Sequence, residues 1–94
     1  MNKSFKDLKA ELLADEDVRE AYDDLALEFA VARAVIKART RCGITQAELA
    51  RRMNSSQSYI ARLESGRVLP NMDTVRKIAE ATGSRIKFDL EAAA

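Results

Sequence analysis

One stretch of this 94-residue chain, TQAELARRMNSSQSYIARLESG from Thr45 to Gly66, leaves little choice of local structure. Thr45 and Glu48 stand three apart, the spacing of a capping box that satisfies orphan N–H donors at a helix start. Ala47, Leu49, Ala50 and Met53 then supply a small apolar face over roughly two turns. Asn54 tolerates the left-handed conformation that a helix C-terminus often needs. Ser55 and Ser56 offer the next N-cap, and Gln57 to Glu64 forms a second helix ending at Ser65-Gly66. In that second helix Ile60 and Leu63 make the inward side. Gln57, Ser58, Ala61 and Arg62 stay on the other, small or hydrogen-bonding and free to meet something.

Two short helices with a tight turn between them are the arrangement that sets a second helix into the DNA major groove. The run TQAELARRM, the run SSQSYIARLESGR, Pro70 and VRKIAEATG together resemble the Cro/CI-type (XRE) helix-turn-helix family across about Ala34 to Gly83. The preceding segment, DLKAELLADEDVREAYDDLALEFAVARAVIKAR, resembles the N-terminal region of HigA-like antitoxins, small DNA-binding partners of RelE-type messenger-RNA-cleaving toxins. The resemblance implies an all-α, lambda-repressor-like helical bundle carrying a helix-turn-helix, with extra N-terminal helices and a short C-terminal strand. It also implies roles. Gln57, Ser58, Ala61 and Arg62 match positions that reach base edges: Gln suits adenine N6 and N7, Arg suits guanine O6 and N7, and Ala61 suits a thymine methyl. Gln46, Ser56, Tyr59 and Arg67 match positions that grip phosphates and set the register. Arg39 and Glu64 match a salt bridge between the first bundle helix and the end of the recognition helix. Tyr59 is bulkier than the small polar residue often found at its position, which puts the groove depth in question.

Composition narrows the chemistry. The chain has no His, and its single Cys42 has neither a disulfide partner nor a second soft ligand, so metal and thiol chemistry lack their usual groups. The acidic residues fall along helix faces with no Gly-rich phosphate loop nearby. An enzyme, a metal and a cofactor are therefore not expected. No apolar run is long enough to span a bilayer and no signal peptide opens the chain, so a cytoplasmic protein without a membrane partner is expected. The net charge of +1 conceals a partition. Residues 1–30 hold four basic and nine acidic residues, a net −5, whereas residues 31–94 hold twelve basic and six acidic, a net +6. The basic body suits phosphate. The acidic arm suits a cationic partner, or is merely a solvated helix face.

In chain order, a single domain over 1–94 is expected in three parts: an arm over 1–25, the helix-turn-helix over 26–83 and a strand over 84–91. Ser4 and Asp7 cap a short helix from Phe5 to about Leu13, with Phe5, Leu8, Leu12 and Leu13 on one side. Asp15-Glu16-Asp17 marks a new helix start, with Val18, Ala21, Tyr22 and Leu25 inward. No Gly or Pro separates this arm from the helix after it, so it is expected to be docked. From about Ala26 to Cys42, Phe29, Ala32, Val35 and Ile36 form an apolar stripe on a third helix that Gly43 closes. Ile44 packs into the core. Exposed basic pairs being common, Arg51-Arg52 is taken as solvated surface. Pro70 keeps the loop after the recognition helix extended. Asn71 or Asp73 then caps a helix to Thr82 with Met72, Val75, Ile78 and Ala79 inward, closed by Gly83.

Arg85 to Leu90 alternates polar and apolar, the period of a strand, and it is the only such run in the chain. A lone strand leaves its backbone edges unpaired. Its pair would be the same strand of a second copy, giving a homodimer with Ile86, Phe88 and Leu90 buried, or another protein's sheet. Otherwise the segment is an extended tail on the bundle. A homodimer also fits a palindromic operator in double-stranded DNA, whose two recognition helices sit about 34 Å apart. The cognate toxin, RelE- or HigB-like and cationic as a family, would dock on the arm through Phe5, Leu8, Leu12 and Tyr22, with Asp15, Glu16, Asp17, Asp23 and Asp24 speeding encounter. Three functions compete on these grounds: an antitoxin that represses its own operon, a stand-alone or phage-type regulator without a toxin, and an interaction module that reuses the fold.

Overall fold

The computed structural model describes residues 4–93, apart from the side chains of Phe5, Leu13 and residues 17–24. Five helices follow one another: α1 (Phe5–Ala14), α2 (Glu16–Cys42), α3 (Gln46–Arg52), α4 (Gln57–Glu64) and α5 (Met72–Thr82). Each boundary has a local cause. Ser4 Oγ accepts the Asp7 N–H at 3.1 Å and starts α1. Thr45, Ser56 and Asn71 do the same for α3, α4 and α5. Asn54, Gly43, Gly66 and Gly83 all adopt positive φ just past a helix end.

α2 differs from expectation. It is one helix of 27 residues, about 40 Å long at 1.5 Å per residue, and it runs through the boundary expected between positions 25 and 26. Glu16 to Cys42 contains no Gly or Pro, so nothing interrupts the hydrogen-bond ladder where the apolar stripe changes phase. α1 folds back against it, after Asp15 breaks the helix with an extended ψ of 124°.

The core is formed by Val35 of α2, Leu49 and Ala50 of α3, Met53 after it, Ile60 and Leu63 of α4, and Ile78 of α5. Ile44, Tyr59 and Val68 pack on it from the loops and α4. Leu25, Phe29, Ile36, Ala47 and Met72, all expected on inward faces, are exposed. Met72 opens α5, where no neighbouring helix covers it. Phe29 lies over the turn after α4 instead of entering the core. A Cβ built on Gly66 would come within 2.9 Å of the Phe29 ring, and Gly66 has φ 75°. Gly66→Ala is therefore expected to cost about 1–2 kcal/mol, most of it backbone strain. Thermal melts of Gly66→Ala with and without Phe29→Ala separate the two parts. A Gly66→Ala chain as stable as the parent would contradict the assignment.

The expected C-terminal strand does not form. Residues 84–93 carry no regular structure, and no strand exists among the described residues for them to pair with. Ile86, Phe88 and Leu90, the residues expected on a buried strand face, are exposed, Phe88 to 74%. Alternation makes a strand only where a second edge satisfies its backbone, and the described residues supply none. The fold is accordingly all-α.

Candidate nucleic-acid interface

The turn between α3 and α4 is built by two hydrogen bonds. Ser55 N–H donates to Ala50 O at 2.8 Å and Asn54 N–H to Arg51 O at 3.1 Å, which closes α3 around the left-handed Asn54. Ser56 then begins α4 by accepting the Tyr59 N–H on its hydroxyl at 3.1 Å. The direction of α4 is set by Ile60 and Leu63, both 0% exposed. An eight-residue helix has little stability of its own, so these two side chains hold it against the bundle. Gln57, Ser58, Ala61 and Arg62 are left on the open face, all exposed. The structure thus brings the four expected base-reading side chains onto one surface.

The residues matched to phosphate contact are more varied. Ser56 and Arg67 are exposed at the two ends of α4. Tyr59 is half-buried and packs on the core, so only part of its ring and hydroxyl is available. The Arg62 guanidinium lies 5.9 Å from the Tyr59 ring centroid, a weak cation–π contact that leans the two side chains together. Gln46 is already engaged, donating from Nε2 to Glu64 Oε1 at 3.2 Å. Its second amide hydrogen remains for a phosphate oxygen.

Behind this surface lies a charged clamp. Arg39 Nε donates to Glu64 Oε2 at 2.7 Å and Arg39 Nη2 to Glu64 Oε1 at 2.9 Å, a bidentate pair linking α2 to the end of α4. Arg39 Nη1 also donates to Ile44 O at 3.0 Å, which ties in the loop before α3. The Glu64 hydrogen bond raises the Arg39 pKa above its ordinary value, so the guanidinium stays charged. Glu64 occupies the negative end of the α4 dipole, a position that favours a nearby cation.

Arg51 and Arg52, expected to be solvated surface, are exposed but committed. Both pair with Glu48, at 2.6 and 3.1 Å, and hold its carboxyl well down at about 2. The Glu48 carboxylate therefore goes to these arginines and only the Thr45 half of the capping box is made. Arg52 Nη1 additionally donates to Ala81 O at 2.8 Å, fastening α3 to α5. The spacing of Glu48 to Arg51 and Arg52 signals the ion pairs. Nothing in the sequence signals the bond to Ala81.

On the arm, Leu8 and Leu12 are about half exposed, and Leu25 and Leu27 are exposed as well. Asp15 and Glu16 are exposed at the turn between α1 and α2. The side chains of Phe5, Asp17, Tyr22, Asp23 and Asp24 lie outside the described residues, as do those of Val18 and Ala21. Cys42 is exposed at the end of α2. Among the described residues no helix is long and apolar enough to cross a membrane.

Comparison with known proteins fits this geometry. Residues 35–88, more than half of the chain, match the helix-turn-helix family model. The chain is 34% identical over 61 residues to the putative multi-protein-binding factor 1 of Yarrowia lipolytica, covering 65% of this chain and 40% of that protein. It is 32% identical over 87 residues to endothelial differentiation-related factor 1 of Homo sapiens, covering 92% and 57%. Multiprotein-bridging factor 1a of Arabidopsis thaliana is 28% identical over 80 residues, covering 85% and 55%. The chain spans about half the length of the curated relatives it matches. No solved structure matches it significantly. With an exposed α4 held by two wholly buried side chains, and a family match that spans the same bundle, the chain belongs to the Cro/CI-type helix-turn-helix family.

Proposed function

We propose that this chain is a transcription regulator that reads double-stranded DNA in the major groove with α4. The observation that carries the proposal is the division of α4 itself: Ile60 and Leu63 are fully buried while Gln57, Ser58, Ala61 and Arg62 are all exposed. Arg62 and Gln57 read base edges, and Arg67, Ser56 and Gln46 fix the register on phosphates. The basic surplus of residues 31–94 supplies the sequence-independent attraction. Selection of sites from a random duplex library tests this. Arg62→Ala is expected to lose about 1–3 kcal/mol of discrimination at one base pair. Arg67→Ala is expected to weaken all sequences alike and to lower the salt slope by about 1. An Arg62→Ala chain with intact affinity and intact preference would remove α4 from the groove.

A protein partner on the acidic arm is the second element of the proposal, supported by the net −5 of residues 1–30 and by the exposure of Leu8 and Leu12. Two of the relatives described above, those of Yarrowia lipolytica and Arabidopsis thaliana, are named for binding or bridging other proteins, which favours a regulator with protein partners over a toxin-neutralising antitoxin. The alternative expected from sequence, a stand-alone or phage-type helix-turn-helix regulator without a toxin partner, is thus better supported than the HigA-like role.

A further inference from the structure

An apolar groove of about 340 Å³ runs between α2 and α5, with residues 84–87 as its third wall. Val31, Ala34 and Ala38 line it from α2, and Val75 and Ile78 from α5. Four cations border it: Lys37 and Arg41 on α2, Arg85 and Lys87 on the C-terminal segment, all exposed. Among the described residues no carboxylate lines the groove, and none of the four cations has an ion-pair partner. Compensation of the α2 dipole accounts for Arg41 in the last turn, but not for Lys37 before it or for the two cations beyond α5.

The hydroxyls at one end of the groove have their protons spent. Thr82 Oγ1 donates to Ile78 O at 2.8 Å, which leaves Ser84 Oγ to donate to Thr82 Oγ1 at 2.7 Å. Ser84 Oγ then accepts from Arg41 Nη2 at 3.0 Å. The other N–H groups of Arg41 have no partner among the described residues. Unspent donors and positive charge beside an apolar floor select a ligand with an anionic head and an apolar body. Space selects its size. One turn of a helix, about 10 Å across and 5.4 Å long, occupies about 400 Å³, more than the whole groove. Sites for small ligands begin at about 300 Å³.

We propose that the groove binds a small amphipathic anion, a carboxylate on an unbranched apolar chain, with its head at Arg41 and its body over Ala34, Ala38 and Ile78. Arg41 receives the carboxylate on its unspent N–H groups, and Lys37, Arg85 and Lys87 add an attraction that salt screens. The ligand bridges α2 and α5, so its binding stabilises the bundle that holds α4 while α4 itself stays clear. The site stands independently of DNA binding.

Decanoate is the probe, titrated below its micelle concentration into the isotope-labelled full chain and followed by amide chemical shifts. A Kd on the order of 1 mM or below is expected, with the shifts confined to the stretches of α2, α5 and the C-terminal segment that line the groove. Decanol and decyltrimethylammonium share the tail and are expected to bind at least about tenfold more weakly. Acetate, which lacks the tail, is expected not to bind measurably. Arg41→Gln, at an exposed position, is expected to lose the preference for decanoate over decanol. Ala34→Leu, also at an exposed position, fills the groove and is expected to lose both ligands with its helical melt retained. A parent chain that does not bind decanoate overturns the proposal. Equal binding of the three heads, or shifts spread over the whole surface, marks surfactant adsorption and also overturns it. So does an Arg41→Gln chain that keeps the preference, or a folded Ala34→Leu chain that binds decanoate like the parent. Groove shifts that depend on protein concentration before any decanoate is added would give the groove to a second copy and overturn it as well.

Discussion

Leu63→Ala is expected to cost about 3–5 kcal/mol of unfolding free energy. Leu63 is wholly buried, and it sits where α4 meets the core formed by Val35, Leu49, Ile60 and Ile78. A domain of this length has a total stability of only about 5–14 kcal/mol, so one such cavity removes a large share. The consequence reaches function because α4 is eight residues long and is oriented by two buried anchors. With one removed, Gln57, Ser58 and Arg62 keep their chemistry and lose their placement. Urea unfolding followed by circular dichroism gives the stability, and DNA binding well below the new midpoint gives the placement. A loss under about 1 kcal/mol would mean that α4 is not held through Leu63.

The second large effect is expected at the Arg39–Glu64 pair. The side chains are 17% and 6% exposed, so water replaces little of what either partner loses. Glu64→Gln removes the charge that two Arg39 nitrogens and Gln46 Nε2 converge on. Breaking one side of a pair this buried costs about 2–4 kcal/mol, which lowers the Tm of a domain of this size by roughly 10–25 °C. Arg39→Met strands the carboxylate in the same way. The double variant restores neutrality and is expected to lose less than the sum of the two, a coupling that a double-mutant cycle reads directly. A Glu64→Gln chain with the parental Tm would show that the clamp contributes nothing.

Much of the helix-turn-helix could be read from sequence because its signals are local. Thr45, Asn54 and Ser56 each act on backbone groups within a few residues, so their roles survive without knowledge of the tertiary fold. The division of α4 into Ile60 and Leu63 against Gln57, Ser58 and Arg62 follows from helical spacing alone. What sequence misplaced depends on neighbours it does not display. The stripe from Phe29 to Ile36 marks a face of α2 but not that Phe29 meets the Gly66 turn. The stripe on α5 marks its inner side but not that the helix outruns its cover at Met72. The alternation from Arg85 to Leu90 describes a segment ready to pair, and pairing needs a second edge. Arg52 shows the limit plainly: its link to Glu48 lies four residues away, whereas its link to Ala81 lies 29 residues away and exists only because α3 packs on α5.

The continuity of α2 turns the arm into a pointer geared to the helix-turn-helix. With no joint between Glu16 and Cys42, a protein bound to the arm would keep a fixed rotational phase relative to the exposed face of α4. One residue inserted near Ala30 would swing that protein through about 100° and advance it about 1.5 Å. Seven inserted residues would return it to within about 20° of its starting azimuth, roughly 10 Å farther out. Spacing between the exposed face of α4 and anything bound to the arm would therefore be set in helical turns.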